Sequence, residues 1–198
     1  MKTLLLATRN AGKQKEMQEL LRDAGWKVLS LRDFPDCPEV EETGHTFLDN
    51  ARKKAQVVSE HSGLLALADD SGLEVDALGQ APGVFSARYA RGESSTDEEN
   101  INRVLAEMQG IPETERAARF VCAAVLARGD AVVFSTVQTV EGILTVASRG
   151  AGGFGYDPIF FYPPDQKTFA ELSSLEKNGI SHRGKAMREV IRFLRSSA

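Results

Sequence analysis

The sequence predicts an α/β fold built on a mixed sheet, and three observations lead to that prediction. Apolar strand-like runs alternate with helical patterns through the first half of the chain, which is the order of parallel βα units. Two strand-like runs in the second half are joined by Arg128-Gly129-Asp130, a hairpin signal that predicts antiparallel pairing. No shift in composition marks a linker in the 198 residues, so we expect a single domain over residues 1–198.

The first half of the chain contains three predicted strands and two predicted helices. Apolar runs predict strands over 3–7, 26–31 and 64–68. Helical spacing predicts one helix over 12–24, ended by Gly25, and a second over 46–59, capped by Thr46. The segment 33–44 is rich in proline and acidic residues and is expected to be a loop.

The second half continues with a loop, a helix and the hairpin. Residues 79–90 are loop-like, and 96–108 is expected to be a helix that Thr96 caps, with three acidic residues in its first turn. Strands are predicted over 119–127 and 131–140, and a third can follow through 142–146. A short apolar run covers 159–162, and helices are expected over 171–177 and 183–194.

Composition and charge exclude several classes of protein. The formal net charge is -4, so the chain lacks the basic footprint of a duplex nucleic-acid binder. An acidic chain suits a nucleotide substrate when cations mediate, which points to a divalent metal. Cys37 and Cys122 form no disulfide framework, so a reduced, cytoplasmic chain is expected. The apolar run 4–7 is too short for a signal peptide, and no run is long enough for a membrane span.

The stretch LLLATRNAGKQKE has the outline of a strand, a loop and a helix that grip phosphate. It fails the P-loop pattern, because the first glycine of that pattern is missing and Gln14, not serine or threonine, follows Lys13. The start of the helix would still offer backbone N–H groups, together with the Asn10 amide and the Lys13 ammonium. The alternative is an ordinary turn with a solvated lysine.

Two acidic segments are candidates for metal binding or base catalysis. Asp69 and Asp70 follow a predicted buried strand, where ligands of α/β sheets bind. Adjacent carboxylates there suit Mg²⁺ or a general base. The acidic loop 39–44 could supply a further carboxylate. The alternatives are a turn for Asp-Asp-Ser-Gly and a solvated surface for the acidic loop.

Two later segments carry candidate groups for a nucleoside. The cluster 150–155 matches G-x-G-x-x-G but is followed by a proline and aromatic residues instead of a helix, so a dinucleotide site is excluded. Its Phe154 and Tyr156 could stack on a purine, or they could belong to the core. Lys177, His182 and Arg183 lie close together before the last helix, where they could read a carbonyl oxygen or start the helix as solvated cations.

Six segments in this order together resemble the inosine triphosphate pyrophosphatase family, and within it the bacterial dITP/XTP pyrophosphatases: T-x-N-x-x-K, EETG, ADDSGL, APGVFSARYA, GGFGYDPIF and SHRG. The resemblance extends from Thr8 to Gly184. It implies an elongated α/β fold with two lobes around a central nucleotide cleft, a homodimer, and Mg²⁺-dependent hydrolysis of dITP, ITP, XTP and dXTP to the monophosphate and pyrophosphate. Such an activity would clear these nucleotides before they enter DNA or RNA.

The resemblance also implies roles for individual residues. The phosphates would be bound by Thr8, Arg9, Asn10, Ala11, Gly12 and Lys13. Metal would be held by Glu41 and Asp70, Asp70 would also be the general base, and Ser71 would contact the substrate. The nucleoside site would be lined by Phe154, Gly155, Tyr156 and Asp157. The base or a nearby phosphate would be contacted by Lys177, His182 and Arg183.

The chemistry can also be argued from the residues. Lys13 and a metal can stabilise the pyrophosphate leaving group, and a carboxylate can orient or deprotonate water. An Asp70 committed to metal is a poor base, so its second oxygen or Asp69 could share the task. Arg183 or His182 as donor matches the 6-oxo group of hypoxanthine and xanthine and mismatches the 6-amino group of adenine. The rival activities are a phosphotransferase, a nucleotide-sensing binding protein, and a related pyrophosphatase that acts on modified pyrimidine or canonical triphosphates.

Overall fold

The computed structural model describes residues 2–196 and contains one mixed sheet of seven strands. The strand order is β2-β1-β3-β4-β5-β6-β7. The strands are β1 (Thr3–Leu6), β2 (Lys27–Ser30), β3 (Leu65–Val75), β4 (Ala117–Arg128), β5 (Ala131–Leu144), β6 (Phe160–Tyr162) and β7 (Lys167–Thr168). The helices are α1 (Ala11–Leu21), α2 (Phe47–Ser62), α3 (Asp97–Glu107), α4 (Ser174–Ile180) and α5 (His182–Ser196). The predicted α/β class with a mixed sheet is therefore confirmed.

The parallel half of the sheet follows from the apolar runs. Strand β1 pairs in parallel with both β2 and β3, with Leu4 opposite Leu65 and Leu6 opposite Leu67. These four leucines are at most 5% exposed, as expected for strands that are covered on both faces. Helix α2 connects two of these strands. Its Thr46 hydroxyl accepts from the Asp49 amide, as predicted, and Gly63 ends the helix in the left-handed conformation.

The antiparallel half differs from the prediction in two places. Strand β5 continues to Leu144, so no separate strand covers 142–146. The expected helix over 171–177 is a single 3₁₀ turn, Phe169–Glu171, followed by α4 from Ser174. The reason is local, because Ser173 and Glu176 form a capping box that restarts the helix three residues later.

The largest difference concerns β3. The predicted strand ends before Asp69, whereas the observed strand continues through both aspartates to Val75. The aspartates are thus in the middle of a strand. Leu73 and Val75 are fully buried, and their burial keeps the chain extended beyond the polar residues.

The chain divides into two compact units. The first unit comprises 1–70, 122–138 and 183–198, and the second comprises 71–121 and 139–182. The core of the first includes Leu4, Met17 and Leu67 with the apolar face of α5, and the core of the second is aromatic, with Phe120, Phe160 and Phe169 in contact. The expectation of a single domain stays a prediction. In the part of the chain that the structure describes, no helix is long and apolar enough to cross a membrane.

Candidate functional site

The loop between β1 and α1 presents the start of a helix to solvent. The Asn10 side chain caps α1, because its Oδ1 accepts from the Lys13 backbone N–H at 2.9 Å. The Asn10 backbone N–H donates to the Thr8 hydroxyl at 3.2 Å. No acidic residue lies in the first turn, so nothing there neutralises the positive end of the helix. The Arg9 guanidinium turns away and donates to the Cys37 carbonyl at 2.8 Å. Ala11 and Gly12 are the first two residues of α1.

Asp69 lies at the centre of a buried ion-pair network. Its Oδ2 is 3.3 Å from the Lys13 Nζ and 3.2 Å from an Arg183 guanidinium nitrogen. The same guanidinium contacts Glu16 on α1 at 2.5 Å and is fully buried. Burial alone would raise the pKa of Asp69, but Lys13 and Arg183 hold that pKa well below its usual range. We name Asp69, Lys13, Arg183 and Glu16 the Asp69 cluster.

Asp70 faces a different set of side chains, all from α2 and the acidic loop. Its Oδ2 accepts from the Asn50 amide at 3.1 Å, and its Oδ1 is 3.2 Å from the Lys54 Nζ. Lys54 also contacts the Glu42 carboxylate at 2.7 Å. Burial raises the pKa of Asp70, and this outweighs the opposite effect of Lys54 and Lys13. We name Asp70, Asn50, Lys54 and Glu42 the Asp70 cluster.

The two aspartates are separated because neighbouring residues of a strand point to opposite faces. Asp69 meets α1 and α5, and Asp70 meets α2. The Asp69 cluster balances two carboxylates with two cations, whereas the Asp70 cluster has two carboxylates and one ammonium. The Asp70 cluster therefore carries one net negative charge, and its carboxylates converge on a single cation. Such a donor set fits a hard divalent cation.

The predicted metal ligand Glu41 lies beside this cluster without joining it. Its backbone carbonyl accepts from the Lys53 ammonium at 2.7 Å, while its carboxylate makes no hydrogen bond or ion pair within residues 2–196. The neighbouring Glu42 carboxylate is the one that Lys54 links to Asp70. Within the same range, no group of three or more histidine, cysteine, aspartate or glutamate side chains is arranged as a metal site.

In the second unit, Asp157 organises the glycine-rich segment. Its Oδ2 accepts from the Phe154 amide at 2.9 Å and lies 2.5 Å from the Lys177 Nζ, and both charged groups are almost fully buried. The Lys177 ammonium also lies 4.7 Å from the centre of the half-buried Phe154 ring. Gly153 cannot be replaced easily, because its Cβ would lie 2.1 Å from the Asp157 carboxylate. The segment thus fixes an ammonium beside a carboxylate.

Other predicted residues of the second unit have structural contacts. The Tyr156 hydroxyl donates to the Ser86 carbonyl at 2.8 Å, and burial raises the pKa of this tyrosine. The Gly155 amide donates to Asp97 at the start of α3, at 2.7 Å. His182 is buried and stacks on Phe120 with 4.8 Å between the ring centres.

Ser71 follows Asp70 in β3 and is half-buried. The next residue, Gly72, allows the close approach of a neighbouring loop, since a Cβ there would lie 2.2 Å from the Ser86 hydroxyl oxygen. That hydroxyl accepts from the Leu73 amide at 2.9 Å and donates to the Gly83 carbonyl at 2.6 Å. The strand is therefore fixed immediately after the two aspartates.

A family model described as the Ham1 family matches residues 4–193. The chain belongs to the Ham1 family. A protein of Desulforamulus reducens named dITP/XTP pyrophosphatase is 49% identical over 96% of this chain and 94% of its own length. A protein of Halalkalibacterium halodurans with the same name is 47% identical over 98% of this chain and its full length. The resemblance proposed from the sequence is thus confirmed.

Solved structures of Ham1 proteins have the same fold. A HAM1 protein from Coxiella burnetii has a TM-score of 0.88 and 44% identity, covering 99% of this chain and 100% of that one. The Staphylococcus aureus Ham1 protein has a TM-score of 0.86 and 38% identity, and both chains are covered completely.

In this Ham1-family chain, sequence reasoning identified both aspartates, Lys13 and Arg183, and it predicted that the acidic loop containing Glu42 could supply a carboxylate. It missed three other members of the two clusters, which are Glu16, Asn50 and Lys54. One signal was available for two of them. Asn50 and Lys54 are four residues apart on α2, beside the buried Ala51 and Ala55, so they share a helix side with residues that face the core. Polar residues at that spacing indicate a buried polar partner.

Proposed function

We propose that this chain is a nucleoside triphosphate pyrophosphatase that acts on noncanonical purine nucleotides. The substrates would be dITP, ITP, XTP and dXTP, and the products the monophosphate and pyrophosphate. The observation that carries the proposal is that Lys13, in the first turn of α1, is held at 3.3 Å by Asp69, the neighbour in β3 of the buried carboxylate of Asp70. The names of the similar dITP/XTP pyrophosphatases support the same activity.

The loop 8–13 would bind the phosphate chain. The first turn of α1 contains no acidic side chain that competes for its backbone amides, although its Lys13 amide is capped by the Asn10 side chain. Lys13 adds an ammonium, which Asp69 and its partners hold in place. A phosphate oxygen would replace water at these donors, so the charge that develops on the leaving pyrophosphate would be stabilised by groups that are already oriented.

Asp70 is the better candidate for the general base. Lys13 and Arg183 keep Asp69 ionised and occupied, whereas burial gives Asp70 a higher affinity for a proton. Asn50 and Lys54 hold the Asp70 carboxylate in one orientation. A water beside Asp70 would lose its proton to that carboxylate as its oxygen attacks the phosphorus.

The Asp70 cluster would also hold Mg²⁺. Its net negative charge and its converging carboxylates supply the oxygen ligands that this ion prefers, with one oxygen of Asp70 and either Glu42 or the predicted Glu41 as ligands. The second oxygen of Asp70 would then be the one that accepts the proton. When bound, Mg²⁺ would neutralise charge on the phosphates. Lys54 lies between the two carboxylates, so we expect its ammonium to move when the ion binds.

Selection of the base would rest on the second unit. Lys177 and Asp157 fix a hydrogen-bond donor beside an acceptor. Hypoxanthine and xanthine present an O6 acceptor beside an N1–H donor, which matches this pair, and adenine presents the reverse. Guanine shares the O6 and N1–H groups. This pair of residues would therefore discriminate against adenine but not against guanine. The predicted base contacts of His182 and Arg183 stay predictions, and the buried Arg183 guanidinium already binds two carboxylates.

The assembly and location of the enzyme complete the proposal. Following the resemblance, the active form would be a homodimer in the cytoplasm. The activity would remove noncanonical purine triphosphates from the pool used to make DNA and RNA. Light scattering of the purified protein tests the dimer directly.

The decisive experiment is a panel of nucleoside triphosphates incubated with Mg²⁺ and scored separately for pyrophosphate and orthophosphate. We expect pyrophosphate from dITP, ITP and XTP, at rates about 10⁴-fold above those with ATP. Orthophosphate or a phosphorylated acceptor would indicate a phosphotransferase. Recovery of intact triphosphate bound to the protein would indicate a binding protein, and either result would overturn the proposal.

A further inference from the structure

A pocket lies in the first unit, at the end of the sheet where β1 and β3 begin. It has a volume of about 540 Å³, within the range of small-molecule sites. Thr3 and Leu65 line it, whereas the predicted phosphate loop follows the other end of β1 and the aspartates lie in the middle of β3. Leu65 and Asp70 are five residues apart along β3, which corresponds to about 17 Å. The pocket is therefore separate from the proposed catalytic groups.

The wall of this pocket is apolar and partly aromatic. It is formed by Trp26, Leu64, Val133 and Phe193, among others. Val133 is 39% exposed, and Trp26 and Phe193 are half-buried at the edge of the core. Exposed apolar surface inside a concavity is typical of a site that covers an apolar ligand. Trp26 is the single tryptophan of the chain, so it reports on this pocket alone.

The charge of the pocket selects the kind of ligand. Its lining contains two cations, Lys2 and Arg128, and no carboxylate, although the whole chain has a net charge of -4. The Lys2 ammonium lies 5.5 Å from the centre of the Trp26 ring. The Arg128 side chain makes no hydrogen bond or ion pair within residues 2–196. A guanidinium beside an apolar wall is suited to bind an anionic group of a ligand.

We propose that this pocket, the Trp26 pocket, binds a small organic anion with an aromatic body. The body would lie against Trp26 and Phe193, and its carboxylate or phosphate would contact Arg128. Carboxylates and phosphate monoesters share this chemistry, and the experiment separates them. This site is independent of the proposed pyrophosphatase activity, since none of its lining residues has a role in that proposal.

The test follows the emission of Trp26 while three probes with the same body are added. The probes are 3-phenylpropionate, 2-phenylethyl phosphate and the neutral 3-phenylpropanol. We expect saturable changes with the anions and binding about tenfold tighter than that of the alcohol, the effect of one charge-assisted contact. The anion that binds more tightly identifies the head group. Saturating dITP in the presence of a chelator should leave these affinities unchanged.

Two variants sharpen the test. Arg128→Gln should remove the preference for anions. Val133→Phe should weaken the binding of all three probes, because the larger side chain would occupy part of the pocket. Both positions are exposed, so the fold should persist, which circular dichroism checks. Arg192→Gln is the matched control, because Arg192 is an exposed cation outside the pocket and should change nothing. Equal binding of acid and alcohol, displacement by dITP, an unchanged preference in Arg128→Gln or the absence of saturation would overturn the proposal.

Discussion

The Asp69 cluster and the Asp70 cluster contain adjacent residues of one strand and have opposite character. Asp69 is surrounded by cations, its charge is balanced, and its pKa is held low. Asp70 shares one lysine with a second carboxylate, and burial raises its pKa. The difference arises from the helices that each face of β3 meets. Two identical side chains, one residue apart, thus have different surroundings, and we propose that Asp69 is an anchor and Asp70 a reactive group.

Replacing the reactive aspartate should have the largest effect. Asp70→Asn keeps the shape of the side chain and its contact with Asn50 but removes the carboxylate. We expect kcat for dITP to fall by about 10³-fold, the usual contribution of a general base. Pyrophosphate release measures the rate, and circular dichroism checks the fold. A rate near that of the wild type would remove Asp70 from the mechanism.

Replacing the anchor, Asp69, should lower the stability of the fold. Asp69→Asn leaves the buried Arg183 with Glu16 as its remaining partner in the cluster and removes the anion that holds Lys13. We expect the free energy of unfolding to fall by about 3–5 kcal/mol, as when one partner of a buried ion pair is lost. Urea denaturation measures it, with Asp70→Asn as the matched control. Equal losses in both variants would contradict the contrast between the clusters.

The effect of Asp69→Asn on the free energy of unfolding should depend on pH. The folded pKa of Asp69 is lower than its unfolded value of about 4, so the carboxylate stabilises the fold above that pH and loses this effect as the pH falls below it. The gap in unfolding free energy between wild type and Asp69→Asn should therefore narrow below about pH 4. Urea denaturation at a series of pH values, in EDTA, tests this. A constant gap would show that charge is not its cause.

Lys13 contacts the anchor Asp69 and, in the proposed function, a phosphate of the substrate, so its replacement should give a smaller effect. Lys13→Ala removes one charge-assisted contact to phosphate, so we expect KM for dITP to rise about ten- to hundredfold. Lys13→Arg keeps the charge and should recover part of the loss. Unchanged KM and kcat in Lys13→Ala would make the loop 8–13 structural.

The smallest effect is expected for the free energy of unfolding of Asp70→Asn. Because its folded pKa is raised, the ionised carboxylate destabilises the fold above the unfolded pKa of about 4. Asp70→Asn in EDTA at pH 7 should therefore leave the free energy of unfolding unchanged or raise it by up to about 1 kcal/mol. Urea denaturation distinguishes this from a loss, and a clear loss would give Asp70 an anchoring role as well.

The sequence could predict much of the fold because its apolar runs and caps are local signals. Thr46 and Thr96 cap α2 and α3 as expected, and the hairpin turns at Gly129 and Asp130. The extension of β3 could not be predicted, since Asp-Asp-Ser-Gly has the composition of a turn and only long-range burial keeps it extended. The contact between Asp69 and Arg183 could not be predicted either, because these residues are 114 positions apart in sequence.

The alternation of β3 has a consequence for how the gene can change. Inserting or deleting one codon between Leu65 and Asp69 would shift the register by one residue and turn each aspartate to the opposite face. Asp69 would then meet α2, and Asp70 would meet α1 and α5, so the anchor and the reactive group would exchange places. A change in the length of a loop leaves this alternation intact, whereas a change of one residue within the strand reverses it.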